Sequence, residues 1–243
     1  MEKKIFPTKQ ELAEAAARYG AAKINAALDA KESAAIILAT GASQFEMLQS
    51  LVTQAVDWSR VRAFHLDEYI GISAEHPASF RKYLKERFAD QVPNLREFNY
   101  IEVDKRNPEE ECARIGSLIG GTEIDAAFIG IGENGHLAFN DPPADFDTQR
   151  SFLVVTLDEA CRRQQYGEGW FASLEQVPLT AISMSIAQIM KSRSLIVTVP
   201  DRRKAEAVRC ALEGEVTPDC PASILQRHAD CRLFLDKDSA SLL

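Results

Sequence analysis

Short, wholly apolar runs alternate along the chain with stretches in which apolar residues recur every three or four positions. The first helical stretch opens at Thr8. Glu11 stands three residues on, in a capping-box arrangement, and Leu12, Ala15, Ala16, Tyr19, Ala22 and Ile24 carry the period to about Ala30. Residues 34–39 (Ala-Ala-Ile-Ile-Leu-Ala) then form a run that ends in Thr40-Gly41, the pattern of a buried strand entering a turn. A helix is predicted from about Ala42 to Trp58. The strand Val61–Leu66 follows and ends in Asp67-Glu68-Tyr69. Helices are predicted over about 79–88, 109–118 and 203–212. Residues 125–132 read as the clearest central strand, apolar on both faces and closed by glycine. Further strands are predicted at 152–155, 194–199 and 231–235. The polar, glycine-bounded stretch 162–169 reads as a mobile segment.

Strand followed by helix, with strands apolar on both faces, predicts an α/β fold with a mostly parallel sheet covered by helices on both faces. No internal repeat, linker or low-complexity tract interrupts the pattern, so residues 1–243 read as one domain.

Composition narrows the function. The formal net charge is −8, and the basic clusters, Arg162-Arg163 and Arg202-Arg203-Lys204, are short. That argues against a nucleic-acid partner, which needs a basic footprint. A small anionic ligand stays compatible, because a pocket needs only a few local donors. The five cysteines are odd in number and lack CxxC spacing, so neither a disulfide framework nor a zinc site is expected. Cys220 and His228 are two conceivable metal ligands, which do not make a site. The N-terminus has no apolar segment after its lysines, and no apolar run is long enough for a membrane span. A cytoplasmic location without a membrane partner is the expectation.

In open parallel sheets the ligand sits beyond the carboxyl ends of the strands. Three polar segments fall at such ends. Thr40, Gly41, Ala42 and Ser43 suit an anion, with a tight glycine turn, free amides and two hydroxyls; an ordinary strand–helix turn with a serine cap is the plainer alternative. Asp67 and Glu68 place two carboxylates after an apolar strand. Enclosed, such a group has a raised pKa and can serve as a general base; a helix cap or a solvent-facing turn is the alternative. In the third segment Gly130, Gly132 and Gly135 frame His136, with Asp141 or Glu133 in reach to orient it. A histidine there suits proton shuttling at a sugar ring oxygen, although a structural histidine is the commoner case. His65, His76 and His228 read as structural. No GxSxG, HExxH, P-loop or dinucleotide fingerprint is present.

These loops, in order, resemble the glucosamine-6-phosphate deaminase family, within the wider group that includes 6-phosphogluconolactonases. The resemblance rests on residues 39–43 (Ala-Thr-Gly-Ala-Ser), 64–71 (Phe-His-Leu-Asp-Glu-Tyr-Ile-Gly), His76-Pro77 with Ser79-Phe80, 130–142 (Gly-Ile-Gly-Glu-Asn-Gly-His-Leu-Ala-Phe-Asn-Asp-Pro), Val177-Pro178 with Ala181-Ile182-Ser183-Met184, and Lys204-Ala205. Tyr69 after Asp67-Glu68, and Leu137 after the glycine–histidine pair, favour the deaminase branch over the lactonases.

The resemblance implies a Rossmann-like sheet, a sugar-phosphate substrate and no cofactor or metal. It implies ring opening of an aminosugar 6-phosphate, aldose–ketose isomerisation and loss of ammonia. Asp67 aligns with the general base at C2, His136 with the ring-opening histidine and Asp141 with its carboxylate partner. Asn134 aligns with a position that is Asp or Asn in the family. Thr40, Gly41, Ala42, Ser43 and Lys204 align with phosphate-binding positions. Galactosamine 6-phosphate, 6-phosphogluconolactone or a non-catalytic sensor role are the alternatives, and a monomer, dimer or hexamer all fit the chain.

The departures from the family pattern are local. Aspartate replaces the usual glutamate at 141, which predicts a longer or water-bridged contact to His136. Gln44 replaces a common proline, and Asp201 a common glycine. Where many members carry a lid arginine, the chain reads Glu168-Gly169-Trp170-Phe171. Arg162 or Arg163 is the candidate to grip the phosphate in its place, with a solvated helix face as the alternative. Arg202 and Arg203 are expected to offset the charge of Asp201.

Overall fold

A computed structural model describes residues 1–243. Strands β1 (Glu2–Phe6), β2 (Ala34–Leu38), β3 (Val61–His65), β4 (Asp67–Tyr69), β5 (Glu97–Asn99), β6 (Ala126–Ile129), β7 (Phe152–Thr156), β8 (Thr180–Met184), β9 (Leu195–Val199) and β10 (Cys231–Asp236) form two sheets. The larger is seven-stranded, in the order β1-β10-β9-β6-β2-β3-β5, and every pairing in it is parallel. The smaller, β4-β8-β7, is antiparallel. The helices are α1 (Lys9–Ala30), α2 (Phe45–Leu51), α3 (Phe80–Leu84), α4 (Pro108–Gly120), α5 (Glu159–Gly167), α6 (Ile186–Ile189) and α7 (Ala205–Glu213).

The apolar runs are strands because both faces of the main sheet are covered. In β2, Ala35 and Ile37 join one core while Ala34, Ile36 and Leu38 join the other; β6 divides in the same way between Ala127 and Ile129 and Ala126 and Phe128. Successive strand side chains point to opposite faces, so each run supplies both cores. Helix α1 begins where expected: Thr8 Oγ1 accepts from the Glu11 amide and donates to the Glu11 carboxylate. Gly20 sits against the Phe128 ring, and a Cβ there would overlap it. That bare position lets α1 lie flat on β6.

The structure departs from the sequence reading at several points, and the helix expected from about Ala42 to Trp58 is confined to Phe45–Leu51. The strand at 152–156 belongs to the small antiparallel sheet, not the main one. Residues 2–6 form an edge strand on β10; its exposed Glu-Lys-Lys carried no apolar signal, and it is held by backbone pairing with Phe6 stacked on Phe234. Residues 159–167 form α5 rather than a loose segment, capped by Asp158 on the Cys161 amide. Cys210 and Cys220 approach each other because the chain reverses after α7, with Cα atoms 6.6 Å apart; Cys112, Cys161 and Cys231 are buried apart from them. No helix is long and apolar enough to cross a membrane.

From β2 the sheet grows through β3 to β5, and from β6 it grows through β9 to β10 in the other direction. The β2–β6 seam is therefore a topological switch point, where the connections leaving adjacent strand ends part and open a crevice.

Candidate active site

A cleft lies over that seam. It is lined from the end of β2 by Thr40, Gly41 and Ser43, from the end of β3 by Leu66 and Asp67, from the end of β6 by Gly130, Gly132 and His136, from beyond β9 by Lys204, and from α5 by Gln164, Gln165 and Glu168. Residues far apart in sequence thus meet because four neighbouring parallel strands end on the same side.

Asp67 is the first residue of β4, 6% exposed and facing the cleft. Burial pushes its carboxyl well above the ordinary range, and the adjacent Glu68 charge adds to the shift. Glu68 points the other way. Its carboxylate accepts from Ser79 Oγ at 2.8 Å, from the Phe80 and Arg81 amides and from Arg81 Nε at 3.2 Å. It holds the start of α3 and does not line the cleft. Marking Glu68 with Asp67 as a site carboxylate, a candidate to contact the substrate, is therefore corrected: alternation along a strand sends neighbouring side chains to opposite faces.

His136 sits in the loop after β6. A Cβ on Gly132 would overlap its imidazole, so a bare backbone there is what gives the ring its seat. Gly135 adopts φ +85°, and its carbonyl accepts from the Ala222 amide. His136 Nδ1 lies 3.2 Å from Asp141 Oδ1, close enough for ion pairing but out of line for a well-formed hydrogen bond. The contact is direct despite the shorter aspartate. Asn134 donates from Nδ2 to Asp141 Oδ1 at 3.1 Å, and its own Oδ1 accepts from the His136 amide. The Asp158 amide donates to Asp141 Oδ2. Burial alone would raise the Asp141 pKa, but His136, Asn134 and that amide together hold it below the ordinary value. Glu133, the other candidate partner for His136, pairs instead with Arg203 at 3.2 Å.

Cys161 on α5 offers its sulfur to the same corner. His136, Asp141 and Cys161 present ligand atoms within 4.8 Å of one another. A soft divalent ion could be held there, though burial drives the thiol far above its usual range, so such an ion must displace a proton.

At the other end of the cleft, Gly41 turns with φ +96°. The Gly41 carbonyl accepts from Tyr83 Oη, which anchors the turn. Gln44 is fully buried and tethers the same loop to β9: Thr198 Oγ1 donates to Gln44 Oε1 at 2.8 Å. This role was not visible in the sequence, because it depends on a strand 154 residues away. Lys204 is 6% exposed and unpaired, with its ammonium at the cleft. Burial lowers its pKa, against the opposing pull of Glu133 and Glu168. Asp201 takes φ +80° at the turn into Lys204 and donates its amide to Asp236. That is the left-handed region where glycine is easiest.

Neither arginine of α5 reaches this end. Arg162 donates to the Leu174 and Val177 carbonyls, and Arg163 pairs on the exposed side with Glu159. Both expectations of phosphate contact are corrected, because the helix turns these two positions away from the cleft while Gln164, Gln165 and Glu168 face it. Arg203, engaged with Glu133, and exposed Arg202 do not line the cleft either. Of the remaining histidines, His65 is buried and accepts from the Ile101 amide, His76 stacks on Phe171 and His228 bonds the Ser192 carbonyl at 2.7 Å. None of them joins His136.

Comparison with known proteins adds an independent line. Residues 7–234 match the family model for glucosamine-6-phosphate isomerases/6-phosphogluconolactonase. A glucosamine-6-phosphate deaminase of Exiguobacterium sibiricum is 40% identical over 213 residues, covering 87% of this chain and 82% of that one. One from Bacillus cereus is 34% identical, covering 98% and 87%. Among solved structures, a monomeric glucosamine-6-phosphate deaminase of the NagB superfamily superposes with a TM-score of 0.90 at 32% identity over the full length of both chains. The 6-phosphogluconolactonase of Trypanosoma brucei, at 18% identity and TM-score 0.82 over 100% of this chain and 98% of that one, shares the fold.

Proposed function

Because the chain belongs to the glucosamine-6-phosphate isomerase/6-phosphogluconolactonase family, we propose that it converts glucosamine 6-phosphate and water to fructose 6-phosphate and ammonia, with Asp67 and His136 as its proton-transfer groups. The observation that carries this reading is the meeting, in one cleft, of a buried carboxylate of raised pKa, a histidine–carboxylate pair and a buried, unpaired ammonium.

The chemistry divides between the two ends of the cleft. His136 moves the proton that opens the sugar ring, and Asp141 holds the imidazole and stabilises it when charged. Asp67 removes the C2 proton from the open chain and returns it to C1. The electron pair left at C2 becomes the enol double bond, and the resulting C2 imine loses ammonia to water. A base of raised pKa suits this step, because proton removal from carbon needs a carboxylate more basic than an exposed one. Lys204, with the Ala42 amide and the Thr40 and Ser43 hydroxyls, receives the 6-phosphate. Binding it at a distance from Asp67 sets the register of C2 against the base.

An ammonia-release assay on glucosamine 6-phosphate and galactosamine 6-phosphate, beside an acid-release assay on 6-phosphogluconolactone, tests this. Turnover of glucosamine 6-phosphate is expected. Hydrolysis of the lactone alone would overturn the reading, and turnover of galactosamine 6-phosphate in preference would transfer it to the C4 epimer.

A further inference from the structure

The lid brings a carboxylate to the place proposed for the phosphate. Glu168 follows the last turn of α5, and its Oε2 accepts from the Ala42 amide at 3.3 Å. Trp170 Nε1 lies 3.4 Å from the same oxygen, and Gln164 Nε2 donates to Oε1 at 3.1 Å. Even a Cβ on Gly41 would stand 3.6 Å from Oε2, an ordinary contact, so the turn does not crowd the carboxylate. Lys204 shares this end of the cleft, feels the Glu168 charge and has no ion-pair partner of its own.

The carboxylate holds the amide proposed for the phosphate, so the ester cannot reach that amide unless the end of α5 withdraws. The contacts holding it there are loose, since 3.3 and 3.4 Å lie at the long end of hydrogen-bond distances. Gly167 and Gly169 flank Glu168, and Gly169 sits at φ +84° with open space around it. Both ends of this short lever can therefore turn freely.

We propose that Glu168 is an internal occupant of the ester-binding end of the cleft, whose carboxylate holds the Ala42 amide until the phosphate of the substrate displaces it. This rests on the reading of the preceding subsection. A phosphate carries nearly two charges and three acceptor oxygens. It satisfies the amide and the Lys204 ammonium together, which the single carboxylate does not. Substrate binding and withdrawal of the α5 end are then one coupled event, and the apparent affinity is reduced by the fraction of molecules in which Glu168 is seated.

Two variants test this. Glu168→Gln keeps the shape and removes the charge, and Glu168→Ala removes the side chain. Inorganic phosphate is titrated calorimetrically into wild type and both variants, with thermal melts to confirm folding, and KM is measured for glucosamine 6-phosphate. The expected result is that phosphate binds about tenfold more tightly to both variants, with KM falling in parallel. Phosphate affinity that is unchanged or weaker in both variants would overturn the proposal and make Glu168 a bystander or a substrate ligand. The phosphate titration requires no turnover. If wild type fails to release ammonia but the variants bind phosphate more tightly, the displacement stands and the proposed reaction falls.

Discussion

At the scale of single residues, the site depends on two side chains whose properties come from their enclosure. Asp67 is held protonated to higher pH than an exposed carboxylate, by burial first and by the Glu68 charge second. As the base it must be ionised, so kcat/KM should fall on the acid side at a pH above the ordinary aspartate range. A pH–rate profile checks this. Asp67→Asn should reduce kcat by about 10²- to 10⁴-fold. The same shift has a sign for stability. The folded state binds the Asp67 proton more tightly than the unfolded state does. Folding is therefore weakened by this group as pH rises from the unfolded pKa toward the folded one. Asp67→Asn should accordingly melt at a higher temperature than wild type at neutral pH, with the difference vanishing in acid where both states are protonated. Melting curves across pH would show it, and equal melting temperatures at neutral pH would contradict it. Gly132→Ala places a methyl into the His136 ring. The imidazole must shift, and a misplacement of about an ångström costs on the order of a hundredfold in rate; steady-state assays should find this loss in a folded protein.

At the scale of elements, the turn after each strand is braced by partners distant in sequence. Glu68 is fully buried and binds the first amides of α3 together with Arg81, whose second contact is Asp104 at 2.6 Å. Glu68→Ala leaves the Arg81 guanidinium buried beside α3 without that carboxylate. Unfolding in urea should show a loss of about 3–5 kcal/mol. At the turn before α7, Asp201 holds a backbone conformation that glycine adopts at no steric cost. Asp201→Gly should remove strain of about 1 kcal/mol, and the same denaturation measurement reads it. A loss instead would mean that the Asp201 side chain contributes more than its backbone strain subtracts.

For the whole molecule, the cleft at the β2–β6 seam joins the two halves of the sheet, so a ligand that bridges Asp67, His136 and Lys204 should stabilise the entire fold. Glucosamine 6-phosphate at a hundred times its Kd should add about 2.7 kcal/mol. For a chain of this size that corresponds to a rise in Tm of roughly 5–10 °C, readable by calorimetry before turnover consumes the ligand. At the same concentration, a ligand confined to one end of the cleft would have a weaker Kd and give less. The antiparallel sheet β4-β8-β7 matters at this scale too. It carries Asp67 on β4, and Ser183 on β8 accepts the Phe139 amide, so it braces both the base and the loop beyond His136.

What could be read from the chain alone was whatever repeats locally. Apolar runs with both faces buried announced the central strands β2, β3, β6, β9 and β10, and the Thr8–Glu11 cap announced α1. The segments Thr40–Ser43, Asp67 and Gly130–Asp141 could be marked as a site because parallel strands must deliver their ends to one side. The edge strand β1 escaped notice because pairing at an edge needs no apolar side chain. The orientation of Glu68, Arg162 and Arg163 was settled only by the fold, since side chains alternate faces along a strand and step by about 100° around a helix, and only packing selects which of them meet the cleft. The tether of Gln44 to Thr198 and the seating of Glu168 on the Ala42 amide each join residues more than a hundred positions apart. Such contacts leave no local period, so tertiary structure alone decides them.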